Sequence, residues 1–70
     1  MYIPVNYKTA AKRLMNGENI HFLYKSGTSA FIIRKPNDWV SLADMESYVI
    51  SSRSYFAKHY GTEHRAYIEI

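Results

Sequence analysis

The chain has 70 residues, 47% of them hydrophobic and 16% aromatic, with a formal net charge of +3 and no cysteine. This length gives one small domain, residues 1–70, without disulfides, and a zinc site would have to be built from His21, His59, His64 and carboxylates alone. An excess of three positive charges leans only mildly toward an anionic partner.

In chain order, Tyr2–Val5 reads as a short strand, and Pro4, which cannot donate to a ladder, confines it to a sheet edge. A first helix is predicted over 6–16. Asn6 is its N-cap, Tyr7, Ala10, Ala11 and Leu14 recur at helical spacing, and Gly17 supplies a left-handed stop. Lys8 and Lys12 then share the solvent side, one turn apart. Ile20–Lys25 and Ala30–Lys35 predict a hairpin turning on a two-residue Gly27-Thr28 loop of type II′. In that register Phe22 opposes Ile33, Tyr24 opposes Phe31 and Leu23 opposes Ile32. One face carries Ile20, Phe22, Tyr24, Phe31 and Ile33; the other carries His21, Leu23, Ala30, Ile32 and Arg34.

Pro36-Asn37-Asp38 breaks the second hairpin strand. Ser41, with Asp44 three residues on, approximates a capping box and opens a long helix over 42–60 that Gly61 ends. Its expected buried stripe is Leu42, Met45, Val49, Ser52, Phe56 and Tyr60, flanked by Tyr48 and Tyr55 beside Asp44 and Lys58. Arg65–Ile70 alternates and predicts a last strand. The fold class is α+β, a small antiparallel sheet with two helices on one face in (β)αββαβ order. With the first strand counted, that is the ferredoxin-like, split βαβ sequence of elements; without it, it is a three-stranded sheet under two helices. The opposite face is then open, or covered by a partner.

No Gly-rich phosphate loop, serine elbow or paired-carboxylate motif is present, so no catalytic residue, cofactor or metal is expected. No apolar run approaches the roughly 20 residues of a membrane span, and no basic stretch leads into an apolar one, so the expected location is cytoplasmic. Seven tyrosines are more than so small a core can bury with their hydroxyls satisfied. Several belong at the surface, where Tyr and Arg anchor interfaces. The expectation is a non-enzymatic binding protein. In size and economy it resembles the regulators or inhibitors carried by phages and mobile elements, docking on a host protein or nucleoprotein complex. The candidate partner contacts are His21, Leu23, Ile32, Arg34, Tyr48, Tyr55 and Lys58, with the hairpin face also available to a second copy as a homodimer. One alternative is direct nucleic-acid binding, with phosphate contacts from Lys8, Lys12, Arg34 and Lys58. Another is a small RNase-like toxin using His59, Glu63 and His64 near the Gly61 turn, with Tyr60 and Arg65 beside them.

Overall fold

Two N-caps set the helices in the computed structural model, which describes residues 1–38 and 40–70. The Asn6 side chain accepts from the Thr9 backbone N–H at 2.8 Å and opens α1, Tyr7–Met15. Ser41 and Asp44 exchange hydrogen bonds in a full capping box that opens α2, Leu42–Tyr60. Gly61 stops α2 at φ 70°, a left-handed conformation that strains any residue with a Cβ.

The strands are β1 (Tyr2–Val5), β2 (Ile20–Leu23), β3 (Ser29–Ile33) and β4 (Ala66–Glu69), in the sheet order β1-β4-β2-β3. All neighbours pair antiparallel. Because β1 and β2 both oppose the β4 between them, they run parallel, and α1 is a crossover that skips one strand. The helix α2 does the same from β3 to β4 across β2. The fold is thus α+β with two split βαβ units. However, β4 and β2 hold the centre of the sheet where the expected ferredoxin-like arrangement has β1 and β3, because the β2–β3 hairpin folds outward to the edge. Pro4 lies on the other edge strand, as its missing N–H requires.

Alternation decides the faces. Ile20, Phe22, Ile33, Ala66 and Ile68 meet Ala10, Ala11 and Leu14 of α1 and Met45 and Val49 of α2 in one core. Ile3 and Val5 extend it on β1. The small Ala10 and Ala11 side chains, both without exposed surface, let α1 lie close to its neighbours. Phe56 of α2 stacks flat on Phe31 at 4.2 Å between centroids and tilts against Phe22 at 5.3 Å, closing the core toward β3.

Three details differ from the sequence expectation. The hairpin loop is Lys25-Ser26-Gly27: the Gly27 N–H donates to the Tyr24 carbonyl at 2.8 Å and the Tyr24 N–H to the Thr28 carbonyl at 2.9 Å. Gly27, at φ 92°, takes the left-handed third place of a three-residue loop rather than the first place of a two-residue one. With a further irregularity between Phe22 and Leu23, Ile20 opposes Ile33, His21 opposes Ile32, Phe22 opposes Phe31, and Leu23 opposes Ser29. Phe22 thereby meets Phe31 instead of Ile33, an even shift that keeps Ile20, Phe22, Phe31 and Ile33 on their expected face. Leu23 opposite Ser29 is an odd step, and Tyr24, expected on the helix side, is 41% exposed. The α2 stripe is buried only at its centre, since Leu42 and Tyr60 are exposed. A 19-residue helix is about 28 Å long whereas a five-residue strand spans about 17 Å, so both helix ends overhang the sheet. Finally, Arg65 and Ile70 fall outside β4.

Candidate functional site

Along α2, Tyr48 and Tyr55 stand two turns apart on one face, with the short Ser51 and Ser52 between them. Two large rings bracketing two small side chains leave a trough. Ile33 and Phe56 complete its lining, and its volume is about 440 Å³. Tyr55 is 53% exposed, and its ring continues into a cluster with Phe56 and His59 at 5.7 and 4.5 Å. Tyr48 is half-buried. The trough runs beside β3, which has β2 on one side only. Ile32 on that strand is 49% exposed, Arg34 just beyond it is exposed, and Lys58 is exposed on the last turn of α2. Five of the seven expected partner contacts therefore belong to the β3–α2 side. Ser51, Ser52, Ile33 and Phe56, which shape the trough, were not among them, because a hollow made by small residues leaves no signal in hydropathy.

His21 and Leu23 are placed elsewhere. They point away from the helices as expected, yet only 5% and 4% of their surface is exposed, so neither can be a direct contact. The chain covers them itself. The Tyr2 ring approaches the His21 ring to 4.9 Å between centroids although β4 separates their strands, and neighbouring strands lie about 4.8 Å apart. Tyr2 therefore reaches across β4. Tyr67, directly opposite His21, is buried in the same layer, and the His21 Nδ1 is 3.0 Å from the Ser29 hydroxyl. Leu23 is fastened by the Glu63 N–H donating to its carbonyl at 2.9 Å and by the adjoining Tyr24–Thr62 bridge. The apolar patch expected around a Leu23–Ile32 pair is thus reduced to Ile32.

The residues of the RNase-like alternative divide into two places. His59 packs on Tyr55, whereas Glu63, His64 and Arg65 join Lys25, Thr62 and Tyr67 around an open pocket of about 470 Å³. There the Tyr67 hydroxyl donates to Glu63, and this hydrogen bond, then burial, then the Glu63 charge raise the Tyr67 pKa above the usual 10.0, with Arg65 opposing. A proton held that firmly is a poor one to transfer at neutral pH. Lys8 and Lys12 are exposed on α1, a different element from the trough. No helix among the described residues is long and apolar enough to cross a membrane. No known protein family, curated protein or solved structure matches this chain.

Proposed function

We propose that this chain is a non-enzymatic binding protein, a regulator or inhibitor that docks on a partner protein through the Tyr48–Tyr55 trough and the adjoining β3 edge. The observation that carries the reading is the junction of two recognition devices on one side of the molecule. An unpaired strand edge offers backbone hydrogen bonds to an added strand, and an aromatic trough beside it offers a pocket for an anchoring side chain. The two edges are also unequal. The β1 edge carries Pro4, which blunts pairing, while the β3 sequence Ser29-Ala30-Phe31-Ile32-Ile33 has neither proline nor charge to discourage it. Exposed Arg34 and Lys58 suit an acidic rim on the partner.

The test is capture of a partner from nuclease-treated lysate by the wild-type chain and by surface variants. Tyr55→Glu should abolish capture while the melting temperature stays within a few degrees, because the ring is half in solvent. The pair Lys8→Glu and Lys12→Glu should leave capture intact. Capture that disappears with nuclease, or that follows Lys8 and Lys12 rather than Tyr55, would sink the proposal in favour of nucleic-acid binding.

A further inference from the structure

The pocket at the other end of β2 has a chemistry that docking through the trough does not use. Lys25 reaches it from the hairpin loop, and His64 and Arg65 from the connection between α2 and β4. That connection is tied down at Thr62, which bridges to Tyr24, and at Glu63, whose N–H is held by the Leu23 carbonyl. Among the described residues the ion pair is Arg13–Glu18, so neither Lys25 nor Arg65 has a carboxylate in contact. Glu63, the carboxylate of the lining, accepts from the Tyr67 hydroxyl. Two cations therefore face one carboxylate that another donor already occupies, with His64 beside them. Thr62 also lines the pocket, but only 3% of its surface is exposed and its hydroxyl is enclosed by protein atoms, so it shapes the wall rather than facing the cavity.

We propose that this pocket is a binding site for a phosphate group, either free or borne by a small phosphomonoester. Phosphate fits better than a carboxylate because donors converge from two separate segments. A tetrahedral group presents separate oxygens to the Lys25 side and the Arg65 side at once, whereas a planar carboxylate has two oxygens in one plane. The charge also fits, since Lys25 and Arg65 outnumber the one carboxylate, Glu63, and neither is paired with it. A cavity of about 470 Å³ exceeds the bare anion and leaves room for an attached organic group.

Amide chemical-shift titrations of the whole chain at low ionic strength, with inorganic phosphate and with adenosine monophosphate, test the site. Saturable shifts centred on Lys25 and Thr62–Tyr67 are expected. Tighter binding of the nucleotide assigns the site to phosphomonoesters, and equal affinity assigns it to free phosphate. Lys25→Gln and Arg65→Gln should each weaken binding by about tenfold, the loss of one charge-assisted hydrogen bond, while Lys8→Gln changes nothing. Both variants should keep the wild-type melting temperature, because Lys25 and Arg65 are exposed; this separates a lost contact from a lost fold. Shifts indifferent to Lys25 and Arg65, no saturation at residues 62–67, or equal binding of unphosphorylated adenosine would overturn the proposal. Tyr55→Glu should leave the titration untouched, so the trough and the pocket succeed or fail separately.

Discussion

Leu23 and Ile32 share a sheet face and a hydrophobic character, yet one is 4% exposed and the other 49%. Sequence parity assigns the face correctly, because a period of two is a property of the strand itself. Parity cannot say which residue of that face will be shielded. That depends on the fold, which bonds the Thr62–Glu63 segment alongside Leu23 on the central strand β2 while Ile32 lies on the edge strand β3. The difference is measurable. Ile32→Glu places its carboxylate in water and should cost no more than about 0.5 kcal/mol, the usual limit for surface changes. Leu23→Glu buries an unpaired carboxylate and should leave the chain unfolded in a far-UV circular dichroism melt. Tyr67 makes a second prediction at this scale. Its hydrogen bond to Glu63 and its burial favour the neutral phenol in the folded state, so its pKa lies above the unfolded value. The stabilisation this provides is complete below the unfolded pKa and is lost as pH rises through the folded one. Urea unfolding followed from neutral to strongly alkaline pH should therefore show a loss of stability that Tyr67→Phe reduces. An unchanged alkaline profile in that variant would show that the hydrogen bond does not hold the proton.

Both helices begin and end where local chemistry dictates, because a cap is a contact between residues three or four apart and needs no tertiary help. The hairpin was legible as a hairpin but not in its register. Gly27 satisfies either a two-residue or a three-residue loop, and the choice is made by the Tyr24–Thr28 and Tyr24–Gly27 hydrogen bonds together with the β4 contacts that fix β2. The trough was half legible. The Tyr48–Tyr55 spacing was visible, while its meaning depends on β3 lying alongside, which only the fold provides. The capping box gives the prediction that belongs to this scale. Ser41→Ala removes the acceptor of the Asp44 N–H and should cost about 1 kcal/mol. Because α2 overhangs the sheet at this end, the cost should appear as faster amide exchange confined to the first turn of the helix as well as a lower midpoint. Exchange that rises equally throughout α2 would contradict an end that frays on its own.

The whole molecule has a single core cluster to which both helices and strands β2, β3 and β4 contribute buried residues, with β1 packed at its margin. Strands β2 and β4 also bury residues on the far face, but both helices rest on this core, so loosening either helix exposes it. For a chain of this length, typical stability is roughly 4–10 kcal/mol. Leu14 is fully buried between α1 and the rest of the core, and truncating such a leucine to alanine costs about 2–5 kcal/mol. One methyl-bearing branch thus carries a large share of the total. Leu14→Ala should shift the unfolding transition steeply to lower urea, and it should shift backbone and side-chain signals together. Far-UV circular dichroism reports both helices, whereas the NMR ring resonances of Tyr2 and Tyr67 report the layer on the opposite sheet face, away from Leu14. If the core is one cooperative unit, the two signals remain superimposed in the variant as in the wild-type chain. If α1 instead detaches while the sheet persists, the helix signal falls first and the tyrosine signal keeps its original midpoint. That separation would show that the far face, closed by Tyr2 and Tyr67, holds the sheet without α1.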